Sequence, residues 1–171
     1  MPKSKTSLPD PSSVPATEVE PAARVLRQFR IVFNAVKTHF RQVEKEAGVA
    51  GAQLWALSVI GAQPGIGVNE LARALDVHQS TASNLVKTLI ARQLVVAGKS
   101  GADRRAVTLR LSEQGSAILS TAPQPFAGVL PDALAGLSDQ TLARLEQDLA
   151  ALIGALGEPD GRSANTPLSD L

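Results

Sequence analysis

The fold is decided by residues 68–115, VNELARALDVHQSTASNLVKTLIARQLVVAGKSGADRRAVTLRLSEQG. Apolar residues recur at helical spacing from Val68 to Leu75 and again from about Gln79 to Arg92, so two short amphipathic helices are predicted. Asp76 stands in the turn between them, and Asp tolerates a left-handed backbone at modest cost. Two helices joined by such a tight turn are typical of a helix-turn-helix.

Two strands and a glycine-rich loop follow the second helix. Leu94 to Ala97 is a short apolar run, and apolar residues alternate with polar ones from Ala106 to Leu111, which predicts the two strands of a hairpin. The loop between them, Gly98 to Arg105, carries three cations and glycines that permit sharp turns. A helix-turn-helix followed by such a hairpin, the wing, is a winged helix-turn-helix, a fold that reads duplex DNA.

The second helix supplies the candidate reading surface. Its buried face is predicted to hold Ala82, Leu85, Val86 and Leu89, which recur with a helical period. Polar side chains project from the other face, where Gln and Asn suit adenine and Lys suits the phosphate backbone. Together with the loop cations, the predicted DNA contacts are Gln79, Ser80, Thr81, Ser83, Asn84, Lys87, Lys99, Arg104 and Arg105. Ser80 and Thr81 also fit an alternative, since both residue types favour helix starts as caps.

The charges of the wing and its surroundings support a nucleic-acid partner. Arg104 and Arg105 are placed for a narrow minor groove, where the negative potential is strongest. Asp103 is interpreted as a wing-orienting residue that holds a neighbouring arginine by a paired hydrogen bond. Residues 73–110 hold seven Lys or Arg against two Asp, in a chain whose net charge is only +1. Such a basic block attracts phosphates, although a merely solvated charged face is the alternative.

Composition excludes several other classes of function. The 171 residues contain no cysteine and a single methionine, which excludes disulfides, cysteine zinc sites and thiol-based redox sensing. No zinc-ligand spacing, phosphate-binding glycine loop, nucleophile elbow or paired-carboxylate motif stands out, so we predict no metal, no cofactor and no enzymatic activity. Prolines and serines follow Lys3 and Lys5 in place of an apolar signal segment, and a cytoplasmic protein is expected.

One uncharged segment, residues 47–68, is long enough to span a bilayer. It also contains Gln53, Gln63, Pro64 and five glycines. These residues favour a buried helix bounded by turns over a membrane span. We therefore expect no membrane association.

Longer helices with apolar stripes are predicted towards both ends of the chain. Apolar residues recur at spacings of three and four from Ala22 to about Ala47, and again after Ser138, a good N-cap followed by Asp139. The two helices could pack on one another within the chain. Each stripe is wider than one partner helix covers, however, which favours packing between the subunits of a homodimer. The predicted interface residues are Leu26, Phe29, Phe33, Leu145, Leu149 and Leu152.

These segments give the predicted domain organisation. The fold class is mainly α with a small β-hairpin wing, a winged helix-turn-helix with N- and C-terminal helices forming a dimerisation region. The ranges are 1–21 for a proline-rich disordered tail, 22–47 and 123–157 for the dimerisation helices, 48–122 for the DNA-binding domain and 158–171 for a second disordered tail. Pro123, Pro125 and Pro131 predict a broken or kinked connection after the wing.

The run from Gly51 to Gly115 resembles the MarR (multiple antibiotic resistance regulator) family of winged-helix transcription factors. The matching segments are AQLWALSVIGAQPGIGVNELARAL, STASNLVKTL and, most specifically, DRRAVTLRLSEQG at 103–115. The resemblance implies a homodimer whose recognition helices enter the major groove of a pseudo-palindromic operator, with Arg105 and Arg104 in the minor groove. It also implies a cleft for a small aromatic acid or phenol between the dimerisation and DNA-binding parts.

Three residues depart from the family's pattern. Asn84 and Ala97 stand where Arg is frequent, and Gln93 stands where Gly usually ends the recognition helix. Fewer cations on this face predict weaker phosphate binding or a different half-site preference.

Effector contacts are predicted at Trp55 and His39, with Arg30 or Arg41 as the partner of a carboxylate. The alternative is a core position for Trp55 and a surface position for His39. Of the three classes of function considered, we favour a ligand-responsive DNA-binding regulator that acts as a repressor. A winged-helix protein-interaction module without DNA binding and an unrecognised enzyme or ligand carrier are the alternatives.

Overall fold

The computed structural model describes residues 20–99, 107–157 and 167–168. Over these residues the chain forms seven helices and one two-stranded sheet, in an order that agrees with the predicted fold class. The elements are α1 Pro21–Ala47, α2 Gly51–Ala62, α3 Val68–Ala74, α4 Gln79–Ala91, β1 Val95–Lys99, β2 Val107–Leu111, α5 Glu113–Thr121, α6 Val129–Ala135 and α7 Asp139–Ala155.

The hydrophobic core lies where α2, α3, α4 and the hairpin meet. Leu54, Leu57 and Ile60 of α2 are fully buried, and Leu89 and Leu109 reach them from α4 and β2. Most of the apolar segment that raised the membrane alternative is therefore α2, the central helix of the hydrophobic core. Within the described ranges, no helix combines the length and the apolar character that a membrane span requires.

The hairpin is longer than predicted on its first strand. β1 and β2 pair antiparallel, with Val95 opposite Leu111 and Lys99 opposite Val107. Gly98 and Lys99, predicted to begin the loop, therefore belong to β1, because the backbone ladder continues through them. Leu109 also pairs on its other side, accepting from the Gly65 N–H at 2.8 Å and donating to the Ile66 carbonyl at 3.0 Å. This additional pairing holds the hairpin against the segment that leads into α3.

The start of α5 explains the Ser-Glu-Xaa-Gly part of the motif. The hydroxyl of Ser112 accepts from the Gly115 N–H at 3.0 Å and donates to the Gln93 carbonyl at 2.7 Å. Gly115 is buried, and a β-carbon at this position would collide with the carbonyl oxygen of Leu94. Serine and glycine at these positions therefore let α5 begin in direct contact with the end of α4.

The connection after the wing is broken, as its prolines predicted. α5 ends at Thr121 and α6 does not begin until Val129. Pro131 lies in the first turn of α6, where the missing N–H removes no intrahelical bond. Gly128, with φ of 97°, precedes α6, and a β-carbon there would meet the ring of Phe40 on α1. Glycine thus allows α6 to lie close against α1.

The two longest helices leave their apolar stripes uncovered. α1 buries Val36 and Val43, whereas α7 buries none of its residues. α1 packs against α2, α5 and α6 and shares no extended contact with α7. The two striped helices therefore do not cover one another within the chain, which was the alternative to a dimer interface. α7 begins at Asp139 behind the predicted N-cap, where Ser138 Oγ accepts from the Thr141 N–H at 3.3 Å.

The predicted tails lie mostly outside the described residues. α1 begins at Pro21, one residue before the predicted start. Within the predicted C-terminal tail, Pro167 and Leu168 are described, and Pro167 is buried. At these two residues the structure differs from the disorder predicted for residues 158–171.

Candidate nucleic-acid interface

The turn between α3 and α4 sets the direction of α4. Asp76 has φ of 50°, the left-handed conformation expected from the sequence. The Val77 N–H donates to the Ala72 carbonyl at 3.0 Å, and the side chain of Val77 is buried in the angle between the helices. At the start of α3, the Glu70 carboxylate accepts from the Gly67 N–H at 2.9 Å. These contacts hold α3 and α4 as one helix-turn-helix.

α4 has a buried side and a polar side. Ala82, Val86 and Leu89 are buried, and Leu85 is half-buried beside them. On the polar side, the predicted DNA contacts Gln79, Ser80, Asn84 and Lys87 are exposed, and Thr81 and Ser83 are half-buried. The structure therefore leaves four of the six predicted residues of α4 exposed to solvent and the other two partly exposed.

The first turn of α4 does not support the capping alternative for Ser80 and Thr81. The N-cap residue is His78, and no side-chain hydrogen bond caps the helix. The first N–H groups of a helix have no intrahelical acceptor and attract anions such as phosphate. His78 is exposed at this end of the helix and was not among the predicted contacts. Its position directly before the reading helix was the available signal.

The tip of the wing falls outside the described residues. Asp103, Arg104 and Arg105 lie there, and so does the side chain of Lys99. The backbone of Lys99 ends β1 opposite Val107, so residues 100–106 are the connection between the strands. The predicted roles of these four side chains remain proposals.

The cations of the basic block do not share one role. Arg73, Lys87 and Arg110 are exposed on α3, α4 and β2. Arg92, by contrast, donates from Nη1 to Gln53 Oε1 at 2.8 Å and from Nη2 to the Gly48 carbonyl at 2.7 Å. Counting Arg92 with the phosphate-attracting charges was therefore incomplete, because its guanidinium joins the end of α4 to the corner between α1 and α2.

The predicted dimer-interface residues are placed on the surface of the single chain. Leu26 is 50% exposed, Phe33 59% and Leu149 42%. Leu145 and Leu152 are exposed on α7 as well. Phe29 is half-buried, and its ring lies 6.3 Å from that of Phe33, centroid to centroid. Together they form an exposed apolar surface on α1 and α7.

The predicted effector residues are divided between two cavities and other surroundings. Trp55 lines a cleft of about 150 Å³ together with Phe40 and Phe126. Trp55 is also half-buried and packs on the core. Its side chain therefore contacts the core and forms part of the cleft wall at the same time. Arg41 borders a neighbouring groove of about 660 Å³.

His39 and Arg30 line neither cavity. The Nε2 of His39 lies 3.0 Å from the carbonyl oxygen of Pro125, to which it donates. This contact connects α1 to the segment between α5 and α6, and the role of His39 as a polar anchor stays a prediction. Arg30 is exposed on α1.

A sequence model described as the MarR family matches residues 47–106. This range covers α2, the helix-turn-helix and the first strand of the wing. No curated protein matches the chain in sequence.

Several solved structures share the fold. MepR of S. aureus, in a complex with DNA, is 20% identical, with 77% of this chain and 97% of that chain covered and a TM-score of 0.53. YusO of Bacillus subtilis is 20% identical, with 78% and 95% covered and a TM-score of 0.51. The PcaV transcriptional regulator of Streptomyces coelicolor, in complex with its natural ligand, is 20% identical, with 81% and 94% covered and a TM-score of 0.50.

Proposed function

We propose that this chain, whose residues 47–106 match a sequence model described as the MarR family, is a winged-helix member of that family and a DNA-binding transcription regulator that acts as a homodimer. The observation that carries the proposal is the two-sided α4, whose buried side fixes it on the core while its polar side stays in contact with water. A helix held in this way fits the major groove of B-form DNA.

Contacts to DNA are proposed from α4 and from the wing. Gln79 and Asn84 would read base edges, and Lys87 would bind the phosphate backbone. Arg104 and Arg105, in the connection between β1 and β2, would enter the adjacent minor groove. The MepR structure supports this arrangement, because a protein of the same fold was solved with DNA bound.

Dimerisation is proposed through the uncovered stripes of α1 and α7. Two copies related by a twofold axis would bury Leu26, Phe33 and Leu149, which are exposed in the single chain. Such a dimer would present two copies of α4 to successive major grooves, about 34 Å apart. We therefore infer a pseudo-palindromic operator.

Ligand response and repression complete the proposal. The cleft beside Trp55 has an apolar wall with aromatic rings, which suits a small aromatic acid or phenol. The PcaV structure supports a ligand-responsive regulator, since that protein was solved with its natural ligand. A ligand that favours a different spacing of the two reading helices would release the operator. The regulator would repress by occluding the promoter.

Fluorescence anisotropy with duplex fragments from the DNA beside the protein's own gene tests DNA binding. The salt dependence of affinity is measured for the unchanged chain and for Arg104→Ala/Arg105→Ala. Each subunit loses two phosphate-neutralising charges and the homodimer loses four, so the log–log salt slope should flatten by about 3.6 and binding should weaken at least about tenfold.

The matched control, Arg144→Ala/Arg162→Ala, removes two arginines that lie in sequence outside the basic block of residues 73–110, and it should leave the slope unchanged. If the unchanged chain shows no salt-dependent affinity for any of these fragments, the protein-interaction module becomes the better hypothesis. If the wing variant binds with the same affinity and salt slope as the unchanged chain, the wing has no part in recognition.

A further inference from the structure

The cleft beside Trp55 has part of a distant segment of this chain in its wall. Pro167 and Leu168 follow α7 in sequence, yet both line this cleft. Pro167 is buried, whereas Leu168 is 39% exposed and also borders the groove next to the cleft. The burial of Pro167 shows that this segment packs into the cleft and does not only touch its rim.

The surroundings of these two residues are apolar and come from several elements. Phe40 is supplied by α1, Trp55 by α2, and Phe126 by the segment between α5 and α6. Packing a proline ring and a leucine side chain among aromatic rings removes apolar surface from water. The fixed φ of proline also reduces the entropy lost when the segment docks.

We propose that the segment at Pro167–Leu168 is a built-in occupant of this cleft, which any small aromatic ligand has to displace before it reaches Trp55. The docking itself does not depend on the function proposed above. The effect of this docking on regulation rests on the proposed ligand response. A ligand for a site that is already occupied binds with an apparent affinity reduced by the fraction of molecules in which the site is free.

The first experiment locates the segment in the full-length chain. Because the sequence has no cysteine and a single tryptophan, Leu168→Cys can be labelled with bimane, a fluorophore that tryptophan quenches on contact. The label should be several-fold dimmer with Trp55 present than in the same chain carrying Trp55→Phe. A label at Leu156→Cys, which is exposed at the end of α7, should be equally bright in both backgrounds. Equal brightness of the label at position 168 in both backgrounds would overturn the proposal.

The second experiment removes the occupant. In a chain that ends at Gly157, the acrylamide quenching constant of Trp55 should rise at least about twofold, because the indole loses its cover. A full-length Leu168→Ser variant should move in the same direction, and it answers the question even if the shortened chain folds poorly. An unchanged quenching constant in the folded variants would contradict docking.

The third measurement addresses regulation with benzoate as the probe. If the segment occupies the cleft in nine-tenths of molecules, the shortened chain should bind benzoate about tenfold more tightly than the full chain. Equal benzoate affinities would overturn the regulatory role. DNA binding by the same samples is measured separately, and since none of the fluorescence measurements needs DNA, failure of the proposed function is distinguishable from failure of this inference.

Discussion

The Nη2 of Arg92 donates a 2.7 Å hydrogen bond to the carbonyl oxygen of Gly48, and so ties the residue after α4 to the residue that ends α1. Its Nη1 holds Gln53 Oε1 on α2 at 2.8 Å. Since α1 belongs to the proposed dimerisation region and α4 is the proposed reading helix, one guanidinium joins the two parts. The planar fork of arginine permits both bonds, and lysine cannot reproduce them.

Arg92→Lys should therefore weaken DNA binding although the charge is kept. Losing the fork should cost about 1 kcal/mol, or about fivefold in affinity, if the angle of α4 depends on it. Anisotropy measures the affinity, and analytical ultracentrifugation checks that the assembly is unchanged. Arg73→Lys, at an exposed arginine of α3, is the control. If Arg92 acted only by attracting phosphates, Arg92→Lys would bind like the unchanged chain.

Gly115→Ala should strongly destabilise the protein. The new β-carbon would collide with the Leu94 carbonyl, and both atoms belong to backbone that packing holds in place. We expect a loss of about 3 kcal/mol in the free energy of unfolding, measured by urea denaturation. Gly136→Ala is the control, because the nearest atoms would lie 3.6 Å from its β-carbon. A loss of the same size in both variants would show that the close approach to Leu94 is not the cause.

Gln93→Gly should stabilise the protein. Gln93 has φ of 59°, a conformation that costs a residue with a β-carbon about 1 kcal/mol and glycine almost nothing. Part of the gain is offset because glycine adds freedom to the unfolded chain. The melting temperature should rise by about 2 °C. Gln63→Gly, at a residue with φ of −130°, serves as the comparison and should not raise it.

Phe33→Asp and Leu149→Asp should each shift the chain towards monomer. Both side chains are exposed in the single chain, at 59% and 42%, and a carboxylate buried between two subunits would lose its hydration without a partner. Sedimentation velocity over a concentration series measures the effect. Val96→Asp, at a 56% exposed residue of the hairpin, should leave the oligomeric state unchanged. A dimer of equal strength in all three variants would exclude these stripes as the interface.

The parts of the fold that depend on local pattern could be predicted from the sequence. The spacing of Ala82, Val86 and Leu89 located the buried side of α4, and the alternation around Leu109 located β2. The turn at Asp76 and the N-cap at Ser138 followed from the preferences of single residue types. In each case the decisive interactions lie within a few residues of one another.

The contacts that join distant residues could not be predicted in this way. Nothing local distinguishes Arg92 from the other arginines, because its partners lie 39 and 44 positions away. His39 bonds Pro125, 86 positions away. Gly98 and Lys99 have the composition of a loop, and only the pairing with β2 makes them strand. The composition around Pro167 favoured disorder, whereas in the structure its ring is buried in the apolar cleft.

The backbone pairing of Leu109 with Gly65 and Ile66 makes the hairpin an extension of the linker that leaves α2. Lengthening or shortening that linker would therefore tilt the wing relative to α4 without altering any of the side chains proposed to contact DNA. If the chain binds DNA as proposed, insertions and deletions in this linker would change its footprint as well as substitutions at the contact residues.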